Sequence, residues 1–121
     1  MKEVRIIKAV FLVLINCIML VSGQILWKIG LKDASMGSLK DIILLMFNKY
    51  VFSGLVIYAL ATIYWFYIIK TNDLSKVYPM QSMSYIISLF MSYYILKESI
   101  SINSIIGTIV ILLGVFIIAM K

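Results

Sequence analysis

The sequence contains no histidine, one cysteine and one proline, and charged residues make up only 13% of its 121 residues. A single cysteine excludes an internal disulfide, and the usual ligand sets of zinc and haem sites are missing. Serine nucleophiles lack their usual histidine base. These absences argue against an enzyme of the ordinary hydrolase kind and predict a protein without a metal or cofactor.

Carboxylates are also absent from the apolar parts of the chain. The five acidic residues all lie outside the long uncharged runs: Glu3, Asp33, Asp41, Asp73 and Glu98. A proton relay inside a bilayer needs an ionisable side chain at membrane depth. The sequence therefore disfavours cation export driven by protons.

What the chain has in abundance is hydrophobic residues, at 64%, with a mean hydropathy of +1.09. Four uncharged runs are each about as long as the roughly 20 residues that a membrane-crossing helix needs. They predict spans at about 9–27, 50–69, 77–96 and 102–120. The runs are too long and too uniformly apolar for tilted barrel strands. We therefore predict an all-α membrane protein with one four-helix transmembrane domain over residues 1–121.

The basic residues behind the net charge of +6 lie singly in the joints and at the chain ends, next to the ends of the predicted spans. Basic residues next to span ends are typical of anchors at lipid headgroups, which we prefer to nucleic-acid binding. With both termini on one side, that side carries six basic residues and the other five, and the excess of one slightly favours termini in the cytoplasm. The basic N-terminus also fits a signal peptide, but three further spans favour a retained first helix. In the first joint, Ser38 to Asp41 has capping-box spacing, which predicts either a lead-in to the second span, our preference, or a short interfacial helix.

The third run begins with polar residues that share one helix face. At about 100° per residue, six of them fall within an arc of about 120°: Tyr78, Gln81, Ser82, Tyr85, Ser88 and Ser92. Such a stripe is costly in lipid, so it is expected to face a watery cavity or to hydrogen-bond neighbouring helices. Pro79 is interpreted as a helix opener, in a first turn where its missing N–H is harmless.

The other spans offer matching faces. Asn16, Gly23, Gln24 and Trp27 share one side of the first span, and the second presents Gly54, Tyr58, Ala61, Thr62 and Trp65. These faces either complete an amphipathic cavity or pack as ordinary core.

At one membrane edge, Lys28 and Lys97 either hold a phosphate or extend to the interface. In the fourth span Gly107 and Gly114 are nearly in line, which predicts either an association surface or packing within one monomer.

Four segments together resemble a known family: VSGQILWKIGLK, NDLSKVYPMQSMSYI, LKESIS and GTIVILLGVFII. They are similar to the drug/metabolite transporter superfamily, in particular its short four-helix members and the small subunits of the bacterial flippase for undecaprenyl-phosphate-linked aminoarabinose. The resemblance implies half of an inverted-repeat fold, and hence a homodimer or a heterodimer with a second small subunit. It also implies that Tyr78, Pro79 and Glu98 match family positions.

The small multidrug-resistance exporters resemble the chain in the paired glycines of the fourth span. Those exporters carry a glutamate three residues before the position of Gly23, where this chain has Leu20.

Together these observations predict a flippase or transporter subunit for a polyprenyl-phosphate-linked sugar or a similar anionic lipid in the bacterial inner membrane. The alternatives are an exporter of lipophilic or cationic compounds and a membrane helper that transports nothing. Expected substrate-binding residues are Gln24, Lys28, Tyr58, Trp65, Tyr78, Gln81, Tyr85 and Glu98. Expected dimer contacts are Gly107 and Gly114.

Overall fold

The computed structural model describes residues 2–120, and the regular structure among them is helical. The elements in chain order are α1 (Lys2–Leu31), α2 (Leu39–Leu45), α3 (Lys49–Thr71), α4 (Leu74–Met80), a 3₁₀ turn (Gln81–Met83), α5 (Ser84–Tyr94) and α6 (Ile102–Ala119). Within these residues, three helices are long and apolar enough to cross a membrane: Glu3–Leu31 of α1, α3 and α6.

The third predicted span is divided among α4, the 3₁₀ turn and α5. α5 has 11 residues, or about 16 Å at ~1.5 Å per residue, which is about half of a bilayer's hydrocarbon core. The expectation that Pro79 opens this helix is wrong. α4 begins at Leu74, so Pro79 lies inside it, and the 3₁₀ turn follows directly. A proline removes a backbone donor and crowds the preceding turn, and the 3₁₀ turn begins two residues after Pro79.

The joint between α1 and α3 contains a separate helix, so the expected lead-in to the second span is wrong. Ser38 caps α2 by accepting a hydrogen bond from the Asp41 backbone N–H at 3.2 Å. α2 ends at Leu45, and Asn48 then starts α3 by accepting from the N–H groups of Tyr50 and Val51. Two consecutive caps stop the helices from merging.

α1 and α3 pack against each other in antiparallel directions, because Asn16 contacts Ala61 and the later Gly23 contacts the earlier Gly54. Both glycines are buried. A Cβ on Gly23 would lie 3.1 Å from the Gly54 carbonyl oxygen, and one on Gly54 would lie 2.7 Å from the Gly23 carbonyl oxygen. Small residues let the two backbones approach this closely.

The buried core lies between α1, α3 and α4, and its members are Ala9, Val13, Cys17, Ile68, Val77 and Met80. α6 reaches this core through Val115 and Ala119. Many other large apolar side chains face outward on every long helix, as Phe11, Phe66 and Phe116 do. A surface this apolar is suited to lipid, and α6, none of whose residues is buried, is almost entirely of this kind.

Candidate functional site

A cleft of about 400 Å³ lies between α1, α3 and the segment from α4 to α5. Five of the predicted binding residues line it: Gln24, Tyr58, Tyr78, Gln81 and Tyr85. Ser82, Ser84 and Ser88 add hydroxyl groups, and Leu20 and Val21 supply an apolar wall. The polar stripe of the third run therefore faces a shared cleft, except for Ser92, which is not part of its lining.

The break after Pro79 helps to shape this cleft. The 3₁₀ turn contributes Gln81 and Ser82 to the lining, and α5 contributes Tyr85 and Ser88 beyond it. A 3₁₀ turn winds more tightly than an α-helix, so it changes the direction in which successive side chains point. Polar side chains from both sides of the break nevertheless line one space.

A buried polar network holds the wall of the cleft. Asn16 is fully buried, and its Nδ2 donates to the Ala61 carbonyl oxygen at 2.8 Å. Its Oδ1 accepts from Gln81 Nε2 at 3.3 Å, and Cys17 Sγ donates to the Gln81 carbonyl oxygen at 3.4 Å. The network joins α1, α3 and the 3₁₀ turn, and it satisfies polar groups that hydrocarbon would penalise.

The sequence places Asn16 on the polar face of the first span but not among the binding residues, and its bridging role is a finding of the structure. An amide in the middle of an apolar run was the available signal, because polar side chains inside a membrane usually have partners. The hydrogen bond of the Cys17 thiol has no such signal, because one isolated cysteine in an apolar run does not indicate a partner.

Tyr58 lines the cleft from α3, and Trp27 of α1 packs against its ring. Trp27 stacks on Tyr58 with ring centroids 5.0 Å apart, and its Nε1 donates to the Val51 carbonyl oxygen at 3.2 Å. Trp65 does not line the main cleft. It lies beside a smaller hollow of about 110 Å³, which shares Tyr58 and Gln81 with the cleft.

Lys28 lies in the last turn of α1, and Glu98 lies shortly after the end of α5. Lys28 Nζ is 3.5 Å from Glu98 Oε1, and both side chains are exposed. Neither lines the main cleft. An exposed pair of this kind contributes little to stability, so its lysine remains open to exchange of partners.

Lys97 adopts a left-handed backbone conformation with φ of 60°. The Glu98 N–H donates back to the Ser92 carbonyl oxygen in the last turns of α5 at 3.1 Å, which satisfies a carbonyl near the helix end. This turn places Glu98 beside Lys28.

Gly107 and Gly114 are on the outward-facing helix α6. A Cβ added to either would meet no other atom within 4 Å. Within the described residues, these glycines are therefore not needed for packing inside the monomer.

The sequence profile of the EamA-like transporter family matches residues 2–120, nearly the whole chain. This chain belongs to the EamA-like transporter family. Two relatives are each named a probable 4-amino-4-deoxy-L-arabinose-phosphoundecaprenol flippase subunit ArnF. The protein from Proteus mirabilis (strain HI4320) is 36% identical over 73 residues, which cover 59% of this chain and 55% of the relative. The protein from Serratia proteamaculans (strain 568) is 31% identical over 105 residues, covering 79% of this chain and 80% of the relative.

The match to the Proteus protein thus spans about half of that relative's length. No solved structure matches the chain. The family and these relatives confirm the resemblance to the drug/metabolite transporter superfamily and to the small flippase subunits within it. With its apolar outward-facing helices, this EamA-like chain is a multi-pass membrane protein of a transporter family.

Proposed function

We propose that this EamA-like chain is a subunit of a flippase that moves a polyprenyl-phosphate-linked sugar, or a similar anionic amphipathic lipid, across the bacterial inner membrane. The observation that carries the proposal is the polar cleft between helices whose outer surfaces are apolar. A lipid-linked sugar needs both environments, because its headgroup is polar and its tail is not. The printed names of the two relatives describe a flippase subunit for such a molecule.

Each cleft residue would contact the part of the substrate that suits its side chain. The amides of Gln24 and Gln81 and the hydroxyl of Tyr85 are suited to sugar hydroxyls, and Tyr78 adds a phenol at the mouth. Tyr58 offers an aromatic face to a sugar ring in the cleft, and Trp65 offers one in the adjoining smaller hollow. No bond is broken in this process, so the proposal requires neither an enzyme nor a cofactor.

Lys28 would hold the phosphate, with Glu98 as its partner when no substrate is bound. Their separation of 3.5 Å and their exposure allow a phosphate oxygen to replace the carboxylate. The pair stands at the membrane edge outside the cleft, so a lipid would meet it on entering or leaving.

A fourth crossing of the membrane is part of the proposal. Residues 74–94 would extend about 31 Å at ~1.5 Å per residue if they were continuous, which is enough to cross as one kinked segment. Four crossings would form one half of an inverted-repeat transporter, completed by a second copy or by another small subunit.

Transport can be tested in proteoliposomes, with the chain reconstituted alone and with a candidate second subunit. The measurement is the fraction of lipid-linked sugar that becomes accessible on the opposite leaflet. Gln24→Ala and Lys28→Gln should each lower the initial rate about tenfold, since each removes one hydrogen-bonding or charged contact. Lys40→Gln removes an exposed charge from α2 and is the matched control. Equal rates in all four proteins would contradict the proposal.

The association surface is testable separately by native mass spectrometry. Gly107→Leu should shift the chain towards the monomer, because a large side chain would hold the partner helix away. Ile106→Leu, on the neighbouring exposed position, should leave the stoichiometry unchanged. If Gly107→Leu leaves the number of chains in the complex unaltered, α6 is not part of the interface.

Export of cationic drugs receives no support from the cleft. Leu20 lines it at the position where the small exporters carry their glutamate, and no acidic residue is part of the lining. Resistance of cells to quaternary ammonium compounds should therefore not change when the chain is expressed.

A further inference from the structure

A second cleft lies at the opposite end of α1 from the Lys28–Glu98 pair. Arg5 and Lys28 are separated by about 34 Å along the helix at ~1.5 Å per residue, close to the thickness of a bilayer's hydrocarbon core. The second cleft has a volume of about 170 Å³ and is formed where the start of α1 meets the end of α3 and the beginning of α4. It shares no lining residue with the transport cleft.

Its walls are charged and its floor is apolar. Arg5, Lys76 and Asp73 line the walls, and the floor consists of the buried residues Ala9, Val77 and Met80. Lys76 is half-buried, which separates it from a lysine that simply extends into water. Among residues 2–120, the ion pair that forms is Lys28–Glu98, so Arg5, Lys76 and Asp73 are not paired with one another.

This arrangement has two positive charges and one negative charge around a space that is smaller than a drug-sized site. The cations suit a phosphodiester, and the Asp73 carboxylate suits a primary amine that donates N–H bonds. The apolar floor suits the first carbons of a lipid tail. We propose that this cleft binds a phosphodiester headgroup that carries a primary amine, as an ethanolamine phospholipid does, in the leaflet on the side of the N-terminus.

The test is lipid retention by the full chain purified in detergent and supplied with equal amounts of ethanolamine, glycerol and choline phospholipids. Native mass spectrometry should show the ethanolamine lipid retained about tenfold over the choline lipid, whose quaternary ammonium has no N–H to donate. Lys76→Gln should lose retention of all three lipids. Asp73→Asn should keep binding but lose the preference for ethanolamine over glycerol headgroups.

Lys40→Gln is the charge-matched control and should behave as the unaltered protein. Arg5→Gln provides a second test of the phosphate contact if Lys76→Gln fails to fold. Equal retention of the three lipids by the unaltered chain, or equal behaviour of Lys76→Gln and Lys40→Gln, would overturn the proposal.

A polyprenyl phosphate that carries an amino sugar presents the same pair of charges as an ethanolamine phospholipid. A competition experiment between the two molecules shows which of them the site prefers. Displacement of the ethanolamine lipid by that molecule would assign the site to transported substrate, and retention would assign it to bilayer phospholipid. Both results support a site in which cations bind the phosphate and the Asp73 carboxylate binds the amine. The proposal does not depend on transport, because Asp73 and Lys76 take no part in the flippase assay and lipid retention is measured without it.

Discussion

At the scale of single residues, Asn16 links elements that form the cleft. It is fully buried and bonded on both sides of its amide, to Ala61 and to Gln81. Side-chain hydrogen bonds between membrane helices are often weak, at about 0.6 kcal/mol, because alternative partners are available. Asn16 differs because it is fully buried, so its own amide has no water to bond when either partner is lost.

Asn16→Ala should lower the free energy of unfolding by about 1–3 kcal/mol, through the lost bonds and the space left behind. The measurement is unfolding in mixed detergent micelles. Gln24→Ala, at an exposed position of the cleft wall, is the control and should change stability little. An Asn16→Ala protein as stable as Gln24→Ala would mean that the network does not stabilise the fold.

The same pair of variants separates stability from transport. Gln24→Ala is expected to lower transport and not stability, whereas Asn16→Ala acts on stability first. The two readouts together distinguish a residue that meets substrate from one that supports the site.

At the scale of helices, the contact of α1 with α3 depends on absent side chains. A Cβ on Gly54 would lie 2.5 Å from Trp27 Cδ1 and 2.7 Å from the Gly23 carbonyl oxygen. Backbone atoms cannot yield as a flexible side chain can. Gly23 and Gly54 therefore control the distance between the two helices and, through Trp27 and Tyr58, the aromatic wall of the cleft.

Gly54→Ala should destabilise the protein by about 1–3 kcal/mol, the usual cost of inserting atoms into a packed contact. Gly107→Ala is the matched control, because its Cβ would meet nothing within 4 Å. In the monomer that control should be neutral or stabilising by about 0.5–1 kcal/mol, since alanine favours a helix interior. Thermal unfolding in detergent measures both variants. A Gly54→Ala protein with the same melting temperature as Gly107→Ala would contradict the close approach of α1 and α3.

The end of α5 makes a second prediction at this scale. Lys97 holds a left-handed conformation that costs a non-glycine residue about 1–2 kcal/mol. Lys97→Gly should consequently raise stability by up to about 1 kcal/mol, and Lys97→Ala should not. The difference between the two melting temperatures is the measurement, and a greater gain from alanine would contradict the left-handed conformation at residue 97.

At the scale of the whole molecule, the transport proposal requires that the cleft faces water and that the outer helix surfaces face lipid. Ser88 lines the cleft, while Phe90, two residues later on α5, is exposed on the apolar exterior. The cleft is open, so water should reach its wall in the membrane.

Ser88→Cys should react with a water-soluble maleimide in intact membranes, and Phe90→Cys should react at least about tenfold more slowly, because thiolates do not form in hydrocarbon. The buried Cys17 is replaced by alanine in both proteins to remove background. Equal labelling rates would show that Ser88 does not face water, and the transport proposal would then fail with it.

Much of this architecture is legible in the sequence. The apolar runs predict helices because backbone groups in hydrocarbon must bond within their own segment. The turn of the α-helix predicts that Gln81, Tyr85 and Ser88 share a face, and the cost of placing amides and hydroxyls in lipid predicts that this face turns inward. These inferences need no partner helix to be known, since each concerns one segment and its solvent.

The tertiary structure alone decided which segments meet. Pro79 lies within α4 because the helix starts earlier, at Leu74, and only the fold shows Gln81 bonded to Asn16 across 65 residues of sequence. Lys28 and Glu98 are likewise brought together by the packing of α1 beside α5 and by the left-handed turn at Lys97. Periodicity and hydropathy describe how one helix relates to its surroundings, whereas contacts between helices depend on their registers and on the spacing that Gly23 and Gly54 permit.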